Sequence, residues 1–417
     1  MDLYFPKIKD IYQAHNNIKD VVFNTPLMMN YNLSEKYGAS IYLKREDLQT
    51  VRSYKIRGAY NKISSIDKIS LKNGVVCASA GNHAQGVAFS CNKLQIKGTI
   101  FMPSTTPKQK IEQVKMFGRE YAEVIIAGDN FDSANREALD YCRLNKSTYI
   151  HPFNDSKIIE GQATMGIEIL GAIKSKIDYL IVPIGGGGLA SGLGSLFKEL
   201  SPNTSIIGVE PYGAQSMRVS LERGSVTEID EIDTFVDGAA VKRVGELTFE
   251  ICKRVLDDIF AVPEGAICSS ILELYNKNAI VAEPAGALSI AALSLISDKI
   301  KGKTVVSIVS GSNNDITRTE EIRERSLLYE GLKHYFIIRF PQRSGALLTF
   351  VRNVLGPKDD ITHFSYSKKT NREQGPALVG IEMSQASDFN SFIKRLEENN
   401  IVYEYLNDKQ DLFGFLI

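Results

Sequence analysis

A run of four glycines, Gly185-Gly186-Gly187-Gly188, stands between an apolar segment, Tyr179-Leu180-Ile181-Val182-Pro183-Ile184, and a helical pattern over residues 190–200. A flexible linker does not sit between a buried strand and the helix that follows it, so the glycines must turn the chain sharply at the edge of a core. Such a turn gathers backbone N–H groups at the positive end of a helix dipole, an arrangement suited to a phosphate. The surrounding chain alternates short apolar strands with helices. Residues 74–78, 99–102, 123–126 and 148–150 read as strands, and residues 106–117 (opened by Pro107 near the first position) and 131–144 as helices. This alternation predicts a parallel sheet with helices on both faces and ligands at the carboxyl ends of its strands.

Two further segments follow strands. In Ser79-Ala80-Gly81-Asn82-His83-Ala84-Gln85-Gly86, Ser79 and Asn82 are good helix caps, and the small residues let an anion such as a carboxylate approach a helix start. In Ser53-Tyr54-Lys55-Ile56-Arg57-Gly58-Ala59, Lys55 lies between Tyr54 and Ile56, which predicts that it leaves a strand edge for a sheltered place. A sheltered lysine beside other cations has a lowered pKa and becomes a nucleophile. The competing reading is a surface lysine in a basic patch with Lys44, Arg45, Arg52 and Arg57. Gly185-x-Gly187-x-x-Ala190, with Glu210 about 20 residues on, also matches a dinucleotide-binding fingerprint. Four glycines satisfy many templates, however, and that match leaves Lys55 and residues 79–86 unexplained.

At 417 residues the chain is long enough for about two or three domains. Its 49 basic and 49 acidic residues cancel, so nothing in the net charge draws it to nucleic acid or anionic lipid. Five scattered cysteines without a C-x-x-C pair read as small core residues in a reducing compartment, and no metal site is expected. The first residues lack a signal pattern, and no apolar run approaches the ~20 residues that span a bilayer, which predicts a soluble cytoplasmic protein. Residues 313–331 are dense in charge and read as a solvated helix that ends at Gly331 and links domains. Beyond it the pattern becomes βαββαβ, a ferredoxin-like split unit. Its strands fall at 335–340, 361–367, 377–383 and 401–406, and its helices at 345–355 and 389–398. The first helix would turn Leu347, Leu348, Val351 and Leu355 to one face. A sheet of this size exposes a face or edge unless it pairs.

Thr25-Pro26-Leu27, residues 43–49, Glu283-Pro284-Ala285-Gly286-Ala287 and Ser310-Gly311-Ser312-Asn313 complete a set of seven segments across residues 20–315. In their order and content they resemble the fold-type II pyridoxal-phosphate enzymes, and among these the threonine dehydratases. The tail resembles the single ACT-like regulatory domain of the short biosynthetic form. The resemblance implies a catalytic domain at 1–320, with a smaller lobe of about 52–150 nested in a larger one. A linker would follow at 321–332 and the ACT-like domain at 333–417. Lys55 would form the Schiff base with pyridoxal phosphate. Gly185, Gly186, Gly187, Gly188 and Leu189 would hold its phosphate, Asn82 its phenolic oxygen and Tyr54 one ring face, where the family more often has Phe. Gly238 would cover the other face. Ser79, Gly81, Asn82 and His83 would surround the substrate carboxylate, though His83 reads equally well as a packed histidine.

Ser310 would face the pyridine nitrogen. A neutral hydroxyl there, in place of a carboxylate, leaves the nitrogen largely unprotonated and favours prompt loss of a β-leaving group. A hydroxyl simply bonded to backbone is the competing reading. Glu283 reads slightly better as a helix cap than as a cofactor neighbour. Ala80 stands where related serine racemases carry a serine and cannot transfer a proton, so racemisation should be poor. Those relatives hold a divalent cation with an acidic pair; Glu210 matches, but Ser216 replaces the second acid, so no divalent ion should be required. The implied reaction is deamination of L-threonine to 2-oxobutanoate and ammonia, at the entry to isoleucine synthesis. Isoleucine would inhibit and valine would oppose it through the tail, in a homotetramer. A serine or general hydroxy-amino-acid dehydratase, a nucleotide-dependent oxidoreductase and a non-catalytic amino-acid sensor are the rival readings.

Overall fold

The computed structural model describes residues 4–367 and 373–409, in two compact units, Met1–Asp315 and Ile316–Ile417. The first unit contains β1 (Leu27–Met29), β2 (Ser40–Arg45), β3 (Val75–Ala78), β4 (Gly98–Met102), β5 (Ala122–Ile126), β6 (Thr148–Tyr149), β7 (Tyr179–Pro183), β8 (Ser205–Pro211), β9 (Asp258–Val262) and β10 (Thr304–Val309). The larger sheet runs β1-β2-β10-β7-β8-β9 and is parallel except for the antiparallel β1–β2 pair. The smaller runs β5-β4-β3-β6 and is parallel throughout. Every residue of β3 and β4 is buried, as expected for strands with helices on both faces. Each sheet has its own core, one around Leu180, Leu193, Phe197 and Val306, the other around Val75, Val87, Ile100 and Val114.

Lys55 does not leave a strand edge. It is the first residue of the helix Lys55–Ser64. The chain turns beforehand at Arg52, whose φ of 59° is left-handed, and Ser53 makes a single bridge to Gly311. Once Arg57 N–H bonds to Tyr54 O, the helix is under way. This helix lies against Ser156–Ala172 at a spacing that only small residues permit. A Cβ on Gly161 would stand 2.6 Å from Arg57 O, and one on Gly58 2.9 Å from Ile158 O.

Nor do Lys44 and Arg57 belong to a basic patch, because both are fully buried. Arg57 grips Glu46 at 2.8 Å and Glu168 at 2.7 Å, and Lys44 reaches Glu168 and Thr25 O. Two cations and two anions thus cancel inside the core. Burial pushes the Glu46 carboxyl up, but the adjacent Arg57 outweighs it and holds the group below the ordinary carboxylate range. The cluster joins the end of β2, the helix headed by Lys55 and the helix Ser156–Ala172.

The second unit opens with a short 3-10 turn, Ile316–Arg318, and the helix Thr319–Tyr329, which ends two residues short of Gly331. β11 (Lys333–Pro341), β12 (Asp360–Tyr366), β13 (Gln374–Glu382) and β14 (Val402–Tyr405) follow. They form an antiparallel sheet in the order β12-β13-β11-β14, with helices Ala346–Asn353 and Asp388–Glu398, which is the expected ferredoxin-like order. Residues 368–372 and 410–417 of the expected tail domain lie outside the described residues. In the helix Ala346–Asn353 it is Phe350, outside the expected set of leucines and valine, that turns inward. Phe350 is buried edge-on against Phe340, while Leu347, Leu348 and Val351 are exposed. A phenyl ring covers more area than any of those three, and it decides which face turns inward. Pro107 stands next to the first position of the helix Lys108–Gly118, as its cap residue. Among the described residues no helix is long and apolar enough to cross a membrane.

Removing Arg57 would strand the Glu46 carboxylate and leave Glu168 to Lys44 alone. Arg57→Met should cost about 3–5 kcal/mol, read as a lowered urea midpoint at unchanged m-value. A loss below about 1 kcal/mol would mean that the cluster does not hold this helix.

Candidate active site

The pocket at the carboxyl ends of the larger sheet is lined by Lys55, Tyr54, Asn82, Gly185, Ser310 and Glu283, together with Pro183, Gly238, Ala239 and Ala285. Lys55 Nζ donates to Pro152 O at 3.1 Å and sits 5.5 Å from the centre of the Tyr54 ring. Burial draws the Lys55 amine down to about 8, against the opposing pull of Glu283. An amine so placed is neutral in a useful fraction near neutral pH and can act as nucleophile or base. Burial also raises the Tyr54 hydroxyl, which therefore stays protonated.

The glycine turn runs from β7 into the helix Gly188–Leu200, whose residues are buried as far as Phe197. Gly187 has a φ of +90°, which glycine alone adopts without strain. A Cβ on Gly186 would stand 2.2 Å from the Phe153 ring. The first N–H groups of a helix lack partners within it, so the turn and helix start form a cradle for a phosphate-sized anion. Pyridoxal phosphate needs an amine for its aldehyde and donors for its phosphate. Lys55 and Gly185 face one pocket, so the residues fit.

The segment after β3 caps differently from its sequence expectation. Gly81 occupies the cap position of the helix Asn82–Leu94, and no side chain caps it. The Ser79 hydroxyl instead accepts from Gly81 N–H at 3.3 Å. His83 is buried and donates from Nε2 to Ile150 O at 2.9 Å. Burial, and then Lys55, take it down to about 3, so it is neutral. Ser79, Gly81 and His83 are not among the lining residues of the pocket, and neither are Gly186, Gly187, Gly188 and Leu189. Ser310 is buried and its hydroxyl donates to Ala285 O at 3.0 Å.

One feature escaped the sequence and another was weighed there the other way. The turn His151-Pro152-Phe153-Asn154 buttresses the site: Pro152 O meets Lys55, and Phe153 backs the glycines. The His151 ring accepts from the N–H of Phe153 and of Asn154, which holds the turn closed. Glu283, which read slightly better as a helix cap, lines the pocket instead. It occupies a cap position without capping, and its buried carboxylate accepts from Asn82 Nδ2 at 2.6 Å. Its signal was an acid inside an otherwise apolar stretch, residues 279–293. Glu210, by contrast, spends both oxygens on the N–H groups of Met217 and Arg218, each at 2.8 Å. Among the described residues no group of three or more His, Cys, Asp or Glu could hold a metal ion.

A lysine and a glycine-lined anion cradle at the strand ends of a two-sheet α/β unit define a pyridoxal-phosphate enzyme. Residues 18–311 match the family model of the pyridoxal-phosphate dependent enzymes, and residues 324–416 match the C-terminal regulatory domain of threonine dehydratase. The biosynthetic L-threonine dehydratase IlvA of Halalkalibacterium halodurans is 58% identical over 99% of both chains, and that of Bacillus subtilis 55% identical over 99% of this chain and 97% of its own. Among solved structures, the processed threonine deaminase isoform 2 of Solanum lycopersicum is 39% identical, covering 78% of this chain and 97% of that one at a TM-score of 0.72. Maize serine racemase is 30% identical, covering 78% and 99% at a TM-score of 0.71. The chain belongs to the biosynthetic threonine dehydratase family.

Lys55→Ala should abolish the visible absorbance of the holoenzyme. Gly186→Ala, whose Cβ would collide with the Phe153 ring and displace the glycine turn, should weaken cofactor binding about tenfold, by absorbance titration. Because the neutral amine reacts, uptake of pyridoxal phosphate by the apoprotein should speed up as pH rises through about 8. A rate flat across that range would mean that the amine is not depressed.

Proposed function

We infer that this protein is a pyridoxal-phosphate-dependent threonine ammonia-lyase, converting L-threonine to 2-oxobutanoate and ammonia at the entry to isoleucine synthesis. The observation that carries the reading is the depressed, pocket-facing amine of Lys55 beside the glycine turn. Pyridoxal phosphate, when bound, supplies an electron sink for charge developing at Cα. Lys55 would hold the cofactor covalently and, as a free neutral amine, would take the Cα proton. Residues 185–189 would bind the phosphate through backbone N–H groups. Asn82 would donate to the phenolic oxygen, and Tyr54 and Gly238 would bracket the ring. Ser79, Gly81 and Asn82 receive the substrate carboxylate at the helix start. His83 is neutral and bonded to Ile150 O, so it supports that helix start through packing. Loss of the Cα proton and of the β-hydroxyl as water, then uptake of water, release ammonia.

The second unit is a regulatory domain, and its effectors are amino acids. The finer reading is that isoleucine inhibits, valine opposes it, and the enzyme works in the cytoplasm as a homotetramer. Asn313, which touches Asn82, lies three residues before the second unit begins at Ile316. An oxo-acid assay tests the whole reading. Threonine should be turned over faster than serine, isoleucine should suppress turnover, and a chain ended at Asp315 should lose that response. Faster turnover of serine would redirect the substrate assignment. Inhibition that survived the truncation would remove the tail from regulation.

A further inference from the structure

Asn82 is held from both sides. Its Nδ2 donates to Glu283 Oε1, and its Oδ1 accepts from Asn313 Nδ2. Asn313 Nδ2 also donates to Val51 O at 3.0 Å, which fixes the sense of that amide. A flipped Asn82 amide would set donor against donor and acceptor against acceptor, so one orientation alone is compatible with its neighbours. Glu283 is itself fixed. It is buried, the backbone N–H of Asn313 donates to it, and its Oε1 would lie 2.3 Å from a Cβ on Gly311. An amide nitrogen carries two N–H groups; Glu283 takes one, and the other remains for a ligand in the pocket.

We propose that Glu283 is a positioning residue for the lyase reaction: its carboxyl, paired with Asn313, holds Asn82 with one N–H left for bound pyridoxal phosphate, and its charge reaches that cofactor through Asn82 and Lys55. The proposal rests on the assignment of Lys55 and Asn82 made above. The charged and titratable groups facing Glu283 are Lys55 and Tyr54 at the start of their helix, Asp237 beside Gly238, and Lys110 of the helix Lys108–Gly118, which pairs with Asp237. Burial, reinforced by Asp237, pushes the Glu283 carboxyl up to about 7, with Asn82, Lys110 and the Asn313 N–H pulling the other way. Above that value the carboxylate accepts fully from Asn82 and favours the charged form of Lys55. Below it a proton occupies the carboxyl and Lys55 loses that anion.

The test is a pH titration of the visible absorbance of the full-length holoenzyme, without substrate. The wild type should show a spectral transition near pH 7 that Glu283→Gln removes. In an Asn82→Ala background, where only the route through Lys55 is left, adding Glu283→Gln should shift the band less than it does in the wild type. A transition that persists in Glu283→Gln, or an equal shift in both backgrounds, overturns the proposal. If Glu283→Gln fails to hold the cofactor, Glu283→Asp decides. Aspartate keeps the titrating charge, so a retained transition supports the proposal, and its absence from a coloured, folded enzyme counts against it. Failure of the underlying assignment looks different, since the wild type would then show no visible band to titrate.

Discussion

The buried cluster of Arg57, Glu46, Glu168 and Lys44 is the constraint on which the site depends. Desolvating four charges is expensive, and only their mutual pairing makes it tolerable. The return for that cost is geometry. Arg57 lies two residues after Lys55 on the same helix, so locking the guanidinium to the end of β2 and to the helix Ser156–Ala172 also locks the rotation of the helix that aims Lys55. The close approach of Gly58 and Gly161 leaves little freedom to slide. A side chain that must meet a ligand atom has to be held by rigid elements, and here the rigidity comes from core electrostatics and close packing rather than from the pocket itself.

Inside the pocket two opposed groups set the protonation balance. Burial disfavours the charged form of both Lys55 and Glu283, lowering the amine and raising the carboxyl, so their titrations are drawn towards each other. Lys55 can therefore serve as a base near neutral pH, which a solvated lysine cannot. His83 and His151 are both held neutral, by burial first of all, and so add no positive charge beside the amine.

The strand and glycine patterns were legible because each rests on local rules. β3 and β7 are apolar throughout as two-sided burial requires, and the turn at residues 185–188 needs residues without Cβ. Lys55, Asn82, Gly185 and Ser310 lie far apart in the chain but follow or flank such elements, and the fold brings them to one pocket. What remained hidden was set by long-range contacts. Neither the pairing of Arg57 with Glu46 and Glu168 nor the bond from Asn82 to Glu283 can be read from spacing, since partners lie 11, 111 and 201 residues apart. The cap at Gly81 was misread, and the inward turn of Phe350 in the helix Ala346–Asn353 not foreseen, for a similar reason: propensity names good candidates, and tertiary packing chooses among them.

The covalent link between cofactor and chain is open to direct chemical observation. Borohydride reduction of the holoenzyme, followed by proteolysis and mass mapping, should place a single pyridoxyl adduct on the peptide that contains Lys55. An adduct on any other lysine, or none on that peptide in an active preparation, would contradict the account.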